Sequence, residues 1–206
     1  MIVTELVELS KSRSKVYIDE EFAFVLYKGE LRLYRVKVGE ELAEAVYRTI
    51  MMEVLPKRAK LRAMNLLQSR EYTTAQLHQK LSQGLYPEEV IQQALDYVAS
   101  FHYTDDLRYA VSYITCHEDT RSRRRIEQDL TAKGIDKATL ERAWMEWEAQ
   151  GGVQDEQKMI RKLMEKKHYN VENADYKEQQ KIYAYLARKG YSAEQIRRAI
   201  KADLEI

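Results

Sequence analysis

The sequence predicts a mainly α-helical protein, with three tandem three-helix repeats forming an elongated curved array behind a small N-terminal β-hairpin and helix segment. Three observations predict this. Only 7 Gly and 2 Pro interrupt 206 residues that are 45% hydrophobic, so long helices around a real core are expected. Five apolar positions recur in register three times between residues 77 and 200. The first part is different in kind: residues 2–9 and 15–26 are rich in Val, Ile, Phe and Tyr.

In chain order, residues 1–55 form the N-terminal segment. Val16 and Ile18 alternate with Tyr17 and Asp19, which suggests two or three short strands with a turn near Asp19-Glu20. Residues 31–38 fit either a strand or a helix. Residues 40–54 read as a helix that Leu55-Pro56 closes, because the residue before a proline disfavours helical geometry.

The repeats are expected at 56–102, 103–150 and 151–206. Leu77, Leu81, Ile91, Ala94 and Leu95 are spaced by +4, +10, +3 and +1. Ile126, Leu130, Leu140, Ala143 and Trp144 have the same spacing, as do Ile182, Leu186, Ile196, Ala199 and Ile200. The i, i+4 pair lies on one face of a helix. A turn glycine follows at Gly134 and Gly190, with Gly84 one residue early. The next helix starts at Pro87, Asp136 or Ser192; Asp and Ser cap free N–H groups there, and proline costs little at a helix start. An apolar residue precedes each start: Tyr86, Ile135 and Tyr191. A helix ahead of each pair is marked by Ala63/Leu66/Leu67, Ala110/Tyr113/Ile114 and Ile160/Leu163/Met164. The second repeat opens at Thr104 with Asp105 and Asp106, where the helix dipole favours negative charge. A polar insertion around 168–177 stretches the third. On this pattern Leu81, Leu130 and Leu186 are equivalent buried positions, and Trp144 and Trp147 are core.

Net charge is +1, spread as −2, +2, −2 and +3 over residues 1–55, 56–100, 101–150 and 151–206, so any basic surface must be a face or a stripe. No apolar run reaches the ~18 residues of a membrane span. Glu5 and Glu8 stand where a secretion leader would be basic then apolar, and the one cysteine, Cys116, has no partner in the chain. A cytoplasmic protein is expected. His78, His102, His117 and His168 show no metal-ligand spacing, and Asp105 and Asp106 read as helix-start residues. The chain has no Gly-rich phosphate loop, no Ser-His-Asp arrangement and no Cys-x-x-Cys pair. Neither a cofactor, a metal nor catalysis is expected.

The densest positive cluster is Arg121, Arg123, Arg124 and Arg125, at the entry to a helix whose buried positions are Ile126 and Leu130. Four cations there oppose the helix dipole, so they are either a solvated helix start or a contact for phosphate or an acidic partner. A second cluster is Lys57, Arg58, Lys60 and Arg62; a third is Arg188, Lys189, Arg197, Arg198 and Lys201. Lys133 and Lys189 stand just before the turn glycines, where a cation also suits a helix C-terminus. A stand-alone DNA-binding protein using the units as helix-turn-helix readers is the alternative function, and near-zero net charge speaks against it.

The sequence resembles the RecX family. Phe101-His102-Tyr103-Thr104-Asp105-Asp106-Leu107-Arg108-Tyr109-Ala110 is similar to its aromatic-x-Asp-Asp-x-Arg-aromatic-Ala signature. Arg124-Arg125-Ile126, Leu130 and Lys133-Gly134-Ile135 carry the resemblance further, as do residues 66–81 with Glu71-Tyr72. Residues 16–24 resemble the N-terminal hairpin of longer members, with Glu20 where a turn glycine is common. The resemblance implies a monomer that binds the RecA–DNA filament along its groove and restrains strand exchange, ATP turnover and coprotease activity. Weak contact with single-stranded or duplex DNA is compatible with it.

Overall fold

The computed structural model describes residues 1–171 and 173–202. The chain divides into two compact units, Met1–Asp105 and Asp106–Ile206.

The first unit begins with an antiparallel sheet in the order β1 (Val3–Ser10), β2 (Arg13–Ile18) and β3 (Glu21–Tyr27). Along β2, Ser14, Val16 and Ile18 turn inward and their neighbours outward, the alternation read from the sequence. Ile18 pairs with Glu21, leaving Asp19 and Glu20 as a two-residue turn with φ of 49° and 73°. Such a turn matches the twist of the strands, and its left-handed backbone strains Glu20.

The stretch left open at 31–38 holds a short helix, α1 (Lys28–Leu33), followed by a loop. The expectation that Leu55-Pro56 closes a helix is corrected: α2 (Glu44–Thr49), a π turn (Ile50–Val54) and α3 (Leu55–Leu67) run on as one helix. Proline inside a helix lacks an N–H and presses on the carbonyl four residues back. Here the Leu55 N–H bonds the Ile50 carbonyl, the wider π pattern, and this widened turn lets the chain pass the ring. α4 (Thr74–Gln83) and α5 (Glu88–Ser100) complete the unit. Phe24, Leu26 and Val16 from the sheet share one core with Ile50, Leu55, Ala59, Leu77, Leu81 and Ile91.

The second unit holds α6 (Asp106–His117), α7 (Arg123–Ala132), α8 (Lys137–Ala149), α9 (Glu156–Lys166), α10 (Tyr176–Arg188) and α11 (Ala193–Ala202). It contains two cores. Ala110, Ile114, Ile126, Leu130, Trp144 and Trp147 form one; Ile160, Met164, Ile182, Leu186, Tyr191 and Ile196 form the other.

The repeat is exact in its turns as well as its core. Leu81, Leu130 and Leu186 are all fully buried. Each carbonyl accepts the N–H of the apolar residue five positions on: Tyr86 at 3.4 Å, Ile135 at 3.1 Å and Tyr191 at 3.3 Å. Leu85, Gly134 and Gly190 between them have φ of 61°, 87° and 96°, the left-handed residue of this helix ending. The left-handed role in the first turn therefore falls to Leu85 rather than Gly84. Gly84, with φ −77°, is needed for space: a Cβ there would lie 3.0 Å from the Leu81 carbonyl oxygen and from the Tyr86 ring.

A candidate anion-binding groove

α7 starts on Ser122, whose hydroxyl oxygen accepts the Arg125 N–H at 3.3 Å and donates to the Lys189 carbonyl at 2.8 Å. One serine thus caps a helix and ties it to the end of α10. The approach is close, because a Cβ on Gly190 would sit 2.4 Å from the Ser122 hydroxyl. Other polar ties cross the same junction. The Arg123 N–H donates to Glu156 Oε1 at 2.7 Å, and the Gln195 amide donates to Glu156 Oε2. The Gln154 amide donates to the carbonyls of Glu118 and Arg121.

The arginine cluster at this helix start is largely neutralised from within. Arg121 donates to Asp129 Oδ2 and to the Tyr113 hydroxyl, both at 2.6 Å. Arg125 pairs with Asp129 at 3.2 Å, one turn along the helix. Arg123 lies over the Trp144 ring at 4.3 Å and reaches Glu127 at 3.2 Å and Glu148 at 3.3 Å. The electrostatic cost of four cations at a helix N-terminus is therefore offset by nearby carboxylates and by Glu156 at the first turn. Burial pushes the Tyr113 hydroxyl above its ordinary pKa, and the adjacent Asp129 charge adds to the effect. Arg124 is exposed.

The remaining candidates separate by place. Arg58, with 18% of its side chain exposed, is a pin inside the first unit: it donates to the Val25 carbonyl at 3.1 Å, pairs with Glu30 and covers the Tyr27 ring at 4.6 Å. Lys57 is exposed on α3, and Lys60 lies 5.0 Å from the Tyr97 ring centre. Lys133 ends α7 and lies 5.5 Å from the Tyr113 ring centre. On α11 the Arg197 guanidinium donates to the Ala193 carbonyl at 3.2 Å and Arg198 is exposed. The Lys201 side chain lies outside the described residues.

Two of the three clusters meet. Arg121 and Arg125 from the first share a groove of about 650 Å³ with Arg188 and Lys189 from the third, alongside Thr120, Ser122 and Tyr185. A second hollow of about 610 Å³ adds Lys167 and Lys181 and shares Tyr185 and Arg188 with the first. Arginines in a polar concavity present forked donors to carboxylate or phosphate oxygens. Sequence reasoning passed over Lys181 and Tyr185, although Lys181, Tyr185 and Arg188 follow the +4, +3 spacing of one helix face. Among the described residues, no group of three His, Cys, Asp or Glu is placed to hold a metal, and no helix is long and apolar enough to cross a membrane.

Comparison with known proteins places this geometry in context. Residues 59–97 match the first three-helix domain of RecX, and residues 154–200 match the third. The regulatory protein RecX of Caldanaerobacter subterraneus subsp. tengcongensis is 28% identical over 202 residues, 97% of this chain and 98% of that one. The regulatory protein RecX of Vibrio parahaemolyticus serotype O3:K6 is 33% identical over 144 residues, 69% of this chain and 90% of that one. A crystal structure of a regulatory protein RecX is similar with a TM-score of 0.62 at 24% identity, covering 98% of both chains. RecX from Lactobacillus salivarius gives 0.60 at 22% identity, over 75% of this chain and 100% of that one. At these identities the two structures bear on the fold.

Proposed function

The chain belongs to the RecX family, and we propose that it is a non-enzymatic regulator that binds the RecA–DNA filament and mainly inhibits its recombinase, ATPase and coprotease activities. The observation that carries this reading is the likeness to proteins named regulatory protein RecX across 97% of the chain. The protein acts as a monomer in the cytoplasm. Its working parts are an N-terminal segment, residues 1–55, and three three-helix units, residues 56–102, 103–150 and 151–206; the buried Leu81, Leu130 and Leu186 support that division.

Regulation by binding asks little of single residues and much of a surface that can be laid along a repeating partner. Tandem helical units supply such a surface, since each adds one more set of outward side chains to a stack held by its own core. The experiment is RecA-dependent ATP turnover and strand exchange on single-stranded DNA, with and without this protein. Both rates fall as the protein is added. Rates that stay flat while RecA is saturated with the protein would overturn the reading.

A further inference from the structure

We propose that β1 is a self-pairing edge: two free copies of this chain join through it, antiparallel, into one six-stranded sheet centred on Val7. The pairing is a property of free chains and does not rest on the filament reading, in which a single chain acts.

The backbone is the first ground. β1 and β3 are the two edges of the sheet. The edge of β3 is partly taken, since Arg58 on α3 donates to the Val25 carbonyl at 3.1 Å. The edge of β1 is taken at its start: the Val3 N–H donates to the Glu40 carbonyl at 3.0 Å, and the Val3 carbonyl accepts the Gly39 N–H at 2.8 Å. From Glu5 to Leu9, no backbone group bonds to backbone outside the sheet among the described residues. An open edge is a row of unpaired N–H and C=O groups, and lysine or proline commonly guards it. β1, VTELVELS, has neither. Register shifts flank it between Val3 and Glu5 and between Glu8 and Ser10, and the run from Glu5 to Glu8 is regular. Val7 and Leu9 are 36% and 39% exposed, so the edge offers apolar side chains as well as backbone.

Face, charge and the closed end select a second copy in one register. Leu6 and Glu8 pair with the inward Val16 and Ser14, so Glu5 and Val7 share the outer face. Opposed residues of a continuous sheet share a face, so the two-fold axis must pass beside a single residue of β1. At Glu5 or Glu8 it would set two like charges against each other. At Leu6 it would bring Leu9 of the second copy against Val3, whose edge Gly39 and Glu40 have closed. At Val7 it opposes Val7 to Val7, Leu6 to Glu8 and Glu5 to Leu9, and no acid faces an acid. The ends of the sheet favour the same arrangement. One end carries Glu5, Asp19, Glu20 and Glu21, all exposed. The other carries Lys11, Arg13 and Lys28, of which Lys28 is met by Glu8 at 3.3 Å. An antiparallel two-fold pair sets the acidic end of each copy beside the basic end of the other, with Glu5 nearest Lys11. A foreign strand would satisfy the backbone equally well, but the match of the two ends is particular to this chain. So short an edge buries little surface, so the pairing is weak, concentration-dependent and further weakened by salt.

The test uses the full chain alone. In sedimentation equilibrium the parent's average mass climbs above the 24.4 kDa of one chain as its concentration is raised, and climbs less at high salt. Val7→Lys, a charge at the centre of an exposed edge, stays at one chain while keeping the parent's circular dichroism. Cross-linking by a short bismaleimide reads the register, in a Cys116→Ser background because Cys116 is exposed. Val7→Cys chains link to one another, since directly opposed side chains lie about 5 Å apart. Phe22→Cys on β3 is the control: it is exposed too, but five strand spacings, roughly 24 Å, would separate the two copies. Val7→Cys links about tenfold faster than the control or more, because pairing concentrates the two thiols. Glu5→Cys chains link to tagged Leu9→Cys chains faster than to each other. A parent that stays at single-chain mass at every concentration would overturn self-pairing and leave the edge to a foreign strand. Association that survives Val7→Lys, or Val7→Cys linking no faster than Phe22→Cys, would overturn it in favour of another surface. Glu5→Cys chains linking fastest among themselves would overturn the register centred on Val7.

Discussion

Replacing Gly190 by alanine tests how the second and third three-helix units of the second compact unit are joined. Gly190 has φ +96°, which costs an alanine about 1–2 kcal/mol in backbone strain alone. Its added Cβ would sit 2.4 Å from the Ser122 hydroxyl, so the serine must leave its place. That loses the 2.8 Å bond to the Lys189 carbonyl, about 1 kcal/mol, and the cap on the Arg125 N–H, about 1 kcal/mol more. The sum is roughly 3–4 kcal/mol. Gly151 is the control, because its φ is +90° and a Cβ there meets nothing within 4 Å, so Gly151→Ala costs about 1–2 kcal/mol. The assay is urea unfolding followed by tryptophan fluorescence. The only 2 Trp in the chain, Trp144 and Trp147, lie in the core under α7, so the signal reports this junction. A double-mutant cycle sharpens it. In a Ser122→Ala background the nearest obstacle is gone, and Gly190→Ala then costs only about 1–2 kcal/mol, leaving a coupling of about 2 kcal/mol. If Gly190→Ala were no worse than Gly151→Ala, or if its cost simply added to that of Ser122→Ala, the junction described here would be refuted.

Other perturbations read other parts of the molecule. Glu20→Gly relieves the left-handed second residue of the β2–β3 turn and is expected to stabilise the sheet by about 1 kcal/mol, seen as slower hydrogen exchange across residues 1–27; faster exchange would contradict the turn. Arg58→Lys cannot keep the Val25 and Glu30 contacts while covering Tyr27, so it destabilises the first unit by about 1–3 kcal/mol in thermal unfolding, and an unchanged midpoint would deny the pin. Burial, with the Glu156 charge adding, pushes the Tyr191 hydroxyl up to about 12. Between its ordinary value near 10 and that value the unfolded chain loses the proton first, so the stability Tyr191 gives below pH ~10 drains away as pH rises toward 12. Tyr191→Phe therefore moves the alkaline loss of helical circular dichroism to higher pH; a variant that melts at the parent's pH would show that another group governs alkaline unfolding.

How much of this was legible in the sequence depended on how local the governing physics is. The helical units were legible because a buried i, i+4 pair and its following turn are both written within about fifteen residues, as at Leu130 to Trp144. Gly84, one residue out of register with Gly134 and Gly190, shows the limit of that locality. A glycine near a helix end suggests a left-handed residue, yet Leu85 adopts that conformation and Gly84 is small because Tyr86 folds back over it. At Pro56 the sequence gives a helix-breaking residue, and nothing in the pattern announces the Leu55–Ile50 bond by which the helix passes it.

The arginines show where such reading ends. Four cations at the start of α7 look costly when only residues 121–125 are considered. Two of the answering acids are one turn away, Glu127 for Arg123 and Asp129 for Arg125, and the i, i+4 rule finds them. Glu148 and Glu156 come from α8 and α9, and only the fold brings them to Arg123. The cost that four cations bring to this helix start is thus met largely from inside. Lys181 and Arg188 are exposed residues seven apart on one face of α10, and Glu178 is the carboxylate that lines their hollow among the described residues. A search for function in a helical array of near-zero net charge is therefore better directed at cations that share a face than at the densest run of them. A run in sequence spreads around a helix and finds its counter-charges on neighbouring helices, whereas cations spaced by three, four or seven residues stay side by side and keep their field.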